Sequence, residues 1–417
     1  MDRQNTVAVI GAGVVGAAIA ARLAQQGTPV VLLDRAAPGV GGASFGNAGH
    51  IASEHREPLP SRALLFGFWR ELFAFGGVLD IPWKRAVALL PWMRGFAAAA
   101  ARQASNTRHL APLVAAAVED WERLLESIGR PELLRKGGHH EVWLRRDARK
   151  RAAVRAGAME KLGVPTQPAS PEWLQAIANS RHPRGDAQHA AALWFPMTAH
   201  VLDPLEVVQG LVRHAIRSGA ELERTDVRAI RPASLGVEVH TPGGTLNVRS
   251  AVVCAGAWSA RLLAPLGLRV PLEGVRGYHV ELPGHAPLAN TTIVYADERV
   301  VVTPMRGRLR ATSFMDFVRL DAPHDARKSA RLRATLARLG YRCERTTAAW
   351  AGPRPVLPDY LPGIGRVGNT EVFYAVGHQH IGLTLAAGTA ELVAALLAGR
   401  TPRQDVSAFD LRRFGRT

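Results

Sequence analysis

The chain has 417 residues, 47% apolar and 21% charged, which is long enough for two domains with separate cores and excludes a fibrous or disordered protein. Its formal charge is +17, yet only Lys84, Lys136, Lys150, Lys161 and Lys328 of the 52 basic residues are lysine, and the arginines are dispersed, so nucleic acid is not the expected partner. Two cysteines, Cys254 and Cys343, exclude a disulfide framework and a cysteine-rich metal site; no metal is expected, and a reducing cytoplasm fits.

Val7, Val9 and Ile10 read as a buried strand running into Gly11, Gly13 and Gly16 in G-x-G-x-x-G spacing, followed by an Ala-rich helix that Gly27 stops. Gly11 allows a tight turn, Gly13 a close approach to pyrophosphate, and Gly16 close packing of helix on sheet. The helix N-terminus offers free N–H groups and positive dipole to phosphate. Pro29 to Leu33 is the second strand. Asp34 closes it, 18 positions after Gly16, where a carboxylate can accept both ribose hydroxyls and disfavours NADP. The motif alone does not separate FAD from NAD. Asp2 beside Arg3, with the strand following at once, does not read as a signal peptide.

Gly41 to Ile51 is a glycine-dense loop. Leu64 to Phe96 combines Leu, Phe and Trp with Arg70, Lys84, Arg85 and Arg94, as broken amphipathic helices that either pack on their own domain or lie on a bilayer. Helix continues over Ala97–Ala101 and Leu110–Ser127, ending at Gly129. Asp203 as cap, Pro204 at the first position and Glu206 predict a helix to Ser218, stopped by Gly219. Strands follow at Glu221–Glu223 and Val227–Ile230, a hairpin at Val237–Val248 turning at Gly243–Gly244, and a buried strand at Ser250–Ala255. Gly377–Gly388 is loop, then a helix starting near Leu383, Thr384 or Leu385 and ending at Gly399.

GAGVVG with Asp34, SFGNAGH at 44–50, LDP at 202–204, VVCAGAWS at 252–259, RGYH at 276–279, TPMRGRLRATS at 303–313, WAGPRPVLPDYLPGIG at 350–365 and GHQHIGLTLAAG at 377–388 occur in this order. Together they resemble the FAD-dependent D-amino acid oxidase superfamily, and within it the bacterial D-amino acid dehydrogenase branch, D-hydroxyproline dehydrogenases included. The resemblance spans essentially the whole chain. It implies an α/β fold: a discontinuous Rossmann-like FAD-binding domain (1–60, 200–268, 352–417) and an inserted α+β substrate domain with an antiparallel sheet (61–199, 269–351). FAD is expected to be non-covalent, because no cysteine lies in the C-terminal flavin motifs. The cofactor residues this implies are Gly11, Ala12, Gly13, Val14, Val15, Gly16, Asp34, Arg35, Ser44, Asn47, Ala48, Gly49, Val227, Ala255, Gly256, His378, Gly382, Leu383 and Thr384.

Arg354 precedes Pro355, which restricts its backbone to extended conformations, and a planar guanidinium is the best clamp for a carboxylate. In similar proteins the arginine of this RP pair binds the substrate carboxylate. Tyr278 either adds a hydroxyl to the same carboxylate or packs in the substrate sheet. His378 and His380 flank the flavin or stabilise their turn, and His50 is a candidate on the substrate side. The implied reaction oxidises a D-amino acid or a cyclic imino acid such as D-proline or 4-hydroxy-D-proline by hydride transfer to flavin N5. Its imine product hydrolyses to a 2-oxo acid or remains cyclic, and electrons pass to a quinone-type acceptor. An oxygen-using amine, glycine or sarcosine oxidase, a flavoprotein acting on modified tRNA, and an electron-transfer subunit stay open. The expected location is the cytoplasm, with the inner-membrane surface as a peripheral docking site.

Overall fold

A computed structural model describes residues 3–179, 189–283, 290–343 and 348–415. Val7–Ile10 is a central strand of a six-stranded sheet ordered 221–224, 30–34, 7–10, 250–253, 372–376, 363–366. All pairs are parallel except the last. The inner strands are covered on both faces, which is why they read as aliphatic runs, VAVI, VVLLD, SAVV and VFYAV, instead of alternating patterns. Val7, Val9, Val30 and Leu32 face the helices Val14–Gln25, Pro204–Arg217 and Gly382–Leu397. Ala8, Ile10, Val31 and Leu33 face a three-stranded antiparallel sheet formed by 229–233, 236–241 and 244–248.

Asp203 caps its helix as expected, accepting from the Leu205 N–H at 2.8 Å. The strand expected from Val227 begins instead at Ala229. Leu110–Ser127 is two helices, Gln103–Ala115 and Ala117–Ser127, with Pro112 in the last turn of the first. Their apolar faces, including Leu110, Leu113, Trp121 and Leu125, join the same core as the Val14–Gln25 and Gly382–Leu397 helices. These helices, expected in the inserted segment 61–199, share their core with the first sheet. Amphipathic spacing shows that a helix has a buried face but not which layer receives it. Trp121 Nε1 donates to Leu383 O at 2.8 Å, so these helices brace the start of the C-terminal helix. Gln379–Leu397 is, among the described residues, the one helix long and apolar enough to cross a membrane, and 67% of it is buried in this core.

The second large sheet runs 349–356, 273–283, 308–316, 300–305, 292–295, 139–143, 191–195, 167–168, with 79–80 paired beside 308–316. It is antiparallel apart from the 292–295/139–143 and 79–80/308–316 pairs. A small antiparallel sheet of 50–51, 199–201 and 134–136 carries the end of the SFGNAGH loop.

The helix Ala326–Arg338 is pinned to the second sheet by a buried ammonium. Lys328, 2% exposed, meets Asp80 at 2.7 Å, Asp316 at 2.9 Å and Asp325 at 3.1 Å. Removing it leaves the buried Asp316 carboxylate without its cation. Lys328→Met is expected to destabilise the fold by about 3–5 kcal/mol, read as a lower denaturant midpoint at neutral pH, whereas an unchanged midpoint would show that the cluster does not hold the sheet.

Candidate active site

A single cavity of about 950 Å³ extends from the first glycine turn to the second sheet. At one end Gly11 has φ +110, and a Cβ there would stand 2.4 Å from Cys254 O, so only glycine fits the turn. The following helix has no acidic residue in its first turn and no side-chain cap from Gly13; Ser44 Oγ accepts from Val14 N–H at 2.9 Å. Its dipole is therefore left for an anion. Asp34 is fixed by one backbone N–H on each oxygen, Ala12 at 2.7 Å and Ala36 at 2.8 Å, and each oxygen keeps a lone pair for a hydroxyl. The Arg35 guanidinium lies 4.2 Å above the Trp258 ring, and both line the cavity.

Gly11, Gly13, Val14, Val15, Asp34, Arg35, Ser44, Asn47, Ala48, Val227, Ala255, Gly256, His378, Gly382, Leu383 and Thr384 all line this space. Three expected cofactor residues do not. Ala12 is fully buried and acts through its N–H on Asp34. Gly16 packs against the turn, where a Cβ would stand 1.9 Å from Gly11 O. Gly49, at φ +75, donates its N–H to Asn47 Oδ1 at 2.8 Å. These three shape the cradle from behind, as close packing requires. Glycine turn, free helix end and ribose-side carboxylate in one continuous cavity fit a dinucleotide such as FAD.

Arg354 enters the far end from strand Ala349–Val356. Its Nη1 donates to Phe314 O at 2.8 Å, and among the described residues it has no ion pair. The other lining arginines are occupied: Arg155 by Glu141, Arg261 by Asp226, Arg299 by Glu71, and Arg35 over Trp258. Desolvation pulls the Arg354 pKa down to about 10, so it stays charged at neutral pH. Room for the guanidinium comes from Gly277 on the neighbouring strand, where a Cβ would lie 2.2 Å from Arg354 Nη2.

Tyr278 takes the packed alternative. Its O–H donates to Asp316 Oδ2 at 2.8 Å beside Lys328, so it is spoken for and is not the carboxylate donor expected of it. Tyr360 lies beside Arg354. It is buried, its hydroxyl has no partner, and it interacts electrostatically with Arg354; burial pushes its pKa up, which keeps the hydroxyl a donor. Tyr360 sits inside WAGPRPVLPDYLPGIG, six positions past Arg354, so the motif contained it without marking it.

His378 and His380 are neutral here. Burial lowers His378 to about 4, and its Nε2 meets Thr389 Oγ1 at 3.0 Å. Burial, then His55 and Arg354, lower His380 to about 3. Its Nε2 lies 3.3 Å from His55 Nδ1. His50 lines the cavity and its Nε2 is 3.0 Å from Glu54 Oε1. Glu54 and His139 complete a buried cluster that sequence reasoning did not find, because neither belongs to a motif.

Comparison with known proteins agrees with a site for FAD. Residues 6–396 match the family described as FAD dependent oxidoreductase, DAO. The chain is similar to a D-amino-acid oxidase of Bradyrhizobium diazoefficiens, 31% identical over 433 residues, covering 99% of this chain and all of the relative. It is also similar to a D-amino acid dehydrogenase of the same organism, 26% identical and covering 98% of each. The crystal structure of glycine oxidase from Geobacillus kaustophilus superposes with a TM-score of 0.75 at 25% identity, covering 98% of each chain.

The clamp makes graded predictions for a simple carboxylate lacking an amine, with its dissociation constant read from the absorbance of bound flavin. Arg354→Ala is expected to weaken binding by about 3–5 kcal/mol, and Tyr360→Phe by about 1.5–3 kcal/mol. Gly277→Ala should fall between wild type and Arg354→Ala because it displaces the guanidinium. Equal affinity in all four proteins would place the carboxylate elsewhere.

Proposed function

Because the chain belongs to the DAO family of FAD-dependent oxidoreductases, acting on CH–NH or CH–NH2 donors, we propose that it is a D-amino acid dehydrogenase passing electrons to a quinone-type acceptor. D-amino acids and cyclic imino acids such as D-proline or 4-hydroxy-D-proline are its proposed substrates. The observation that carries the substrate reading is Arg354, a cavity guanidinium with no carboxylate of its own, beside the unpartnered Tyr360 hydroxyl.

FAD, when bound along the Gly11–Gly13 turn and Asp34, supplies the two-electron acceptor that takes the substrate α-hydrogen as hydride. With the carboxylate held by Arg354 and Tyr360 on one side and the hydride acceptor on the other, one enantiomer presents its α-hydrogen to the acceptor. The field of Arg354 and the dry cavity favour the neutral amine over ammonium. The neutral His378 and His380 add no positive charge there. No protein base is required for the α-hydrogen.

The acceptor reading rests on the helices Arg62–Glu71 and Trp83–Ala100. On one side Leu64, Phe68, Leu89, Trp92, Met93 and Phe96 wall the cavity. On the other, Phe66 is 86% and Trp83 81% exposed, with Trp69, Phe75 and Val87 also exposed. Arg62, Arg70, Lys84 and Arg94 are exposed around them, while the segment's only acids, Glu71 and Asp80, are paired with Arg299 and Lys328. An apolar face ringed by cations suits an anionic lipid surface, and the apolar wall suits a quinone. None of the five lysines lines the cavity, so no lysine is available there to favour reduction of oxygen. Oxygen as acceptor is a second reading, favoured by the 31% identity to the D-amino-acid oxidase.

Anaerobic addition of D-amino acids should bleach the flavin band while the L-enantiomers leave it unchanged. Turnover with a soluble quinone should exceed turnover in air, and fast peroxide formation would favour the oxidase reading. The protein should sediment with anionic vesicles at low salt and less at high salt. Phe66→Glu with Trp83→Glu should abolish sedimentation and leave soluble-quinone turnover intact. Absence of sedimentation at any salt would refute the membrane contact.

A further inference from the structure

The buried cluster behind the cavity wall presents an electrostatic contradiction. His50 opens a strand of the small sheet, Glu54 follows on the succeeding turn, and His139 begins strand His139–Trp143 of the second large sheet. One donor atom from each lies within 4.8 Å of the others. Glu54 is 3% exposed, Oε2 has no hydrogen-bond partner, and among the described residues neither lysine nor arginine pairs with it.

Hydrogen bonding around His139 fixes its tautomer. The single hydroxyl proton of Thr198 goes to Phe195 O at 3.1 Å, so Thr198 Oγ1 accepts from His139 Nδ1 at 3.0 Å. A neutral His139 with its proton on Nδ1 turns the Nε2 lone pair toward Glu54 Oε1, 3.8 Å away. Two acceptors then face each other in a dry site, which is unfavourable unless a cation stands between them. His50 Nε2 lies 3.0 Å from the same Glu54 oxygen, and its ring proton can move to Nδ1 when a cation takes the place of that hydrogen bond, leaving Nε2 as a second lone pair.

We propose that His50, Glu54 and His139 bind one divalent cation of the zinc class. Two imidazoles and a carboxylate are a common donor set for such ions, and Thr198 supplies the outer hydrogen bond that orients a ligating histidine. His55, whose Nε2 stands 3.6 Å from the same Glu54 oxygen, or a water completes the coordination. The ion's role is structural. It ties the SFGNAGH loop, which lines the cavity, to the second sheet, and takes no part in electron transfer. Nothing in this inference depends on the identity of substrate or acceptor.

The test uses untagged, flavin-loaded protein dialysed against metal-free buffer. Elemental analysis is expected to find about one zinc-class ion per chain, or the dialysed protein to take up about one added Zn²⁺ or Co²⁺. Bound Co²⁺ should give a tetrahedral or five-coordinate visible band distinct from the flavin bands. Glu54→Gln and His139→Gln should each lose the ion while retaining flavin and circular dichroism. Should either variant fail to fold, the wild type decides: a chelator should lower Tm and added Zn²⁺ restore it. Absence of bound metal and of any Co²⁺ band overturns the proposal and leaves a proton on His139 as the shared cation. Metal retained equally in folded variants also overturns it, as adventitious surface binding.

Discussion

A partly buried guanidinium with no carboxylate beside it among the described residues raises the free energy of the folded chain, and the far wall of the cavity is built around that cost. Arg354 has one backbone carbonyl for a partner, that of Phe314, in a place where every other lining arginine has an acid or an aromatic ring. Gly277 gives up its side chain to make room, and the Tyr360 hydroxyl is left without a partner beside it. Burying a charge and a hydroxyl unsatisfied is tolerated where a ligand completes them. Within the proposed function, a carboxylate arriving at this point gains both partners at once.

Backbone strain collects around the same wall. Among the described residues four non-glycines have positive φ, Arg299 at 55, Phe314 at 69, Tyr360 at 57 and Gln379 at 52, and all four line the cavity. Each such conformation costs on the order of 1 kcal/mol or more. Phe314 is the residue whose carbonyl receives Arg354, and its neighbour Ser313 donates to Arg299 O at 2.8 Å, so two strained positions are tied to each other and to the clamp. Rigidity of this kind holds the guanidinium in place before any ligand arrives.

What the sequence revealed followed the range of the interactions involved. Gly11, Gly13 and Asp34 were legible because their task is set within one βαβ unit, where spacing fixes geometry. Arg354 was legible through Pro355 and the surrounding motif. Tyr278 and Tyr360 were not distinguishable, since the difference lies in Asp316 and Lys328, which reach Tyr278 from a neighbouring strand and a distant helix. Glu54 and His139 are separated by 85 positions and meet only where the small and large sheets adjoin, so no local pattern marks them. That the Gln103–Ser127 helices share the first sheet's core was not legible for the same reason: amphipathicity is local, and the partner is not.

The Arg62–Glu71 helix departs from the ordinary logic of amphipathic packing. None of its residues is buried, so it is not held by a core of its own. Polar contacts hold its ends: Ser61 accepts from Leu64 N–H, Glu71 pairs with Arg299, and Arg331 donates to Phe73 O and Gly76 O just beyond. Its phenylalanine and tryptophan faces are then divided between the cavity and solvent. In water an outward face of this composition is a liability, and the charges that surround it here are of one sign. The acids of the segment are consumed internally, leaving arginine and lysine at the rim. Within the proposed function the two faces share one purpose, since a lipid-facing side and a cavity-facing side of the same helix give an apolar acceptor a continuous path that water does not contest.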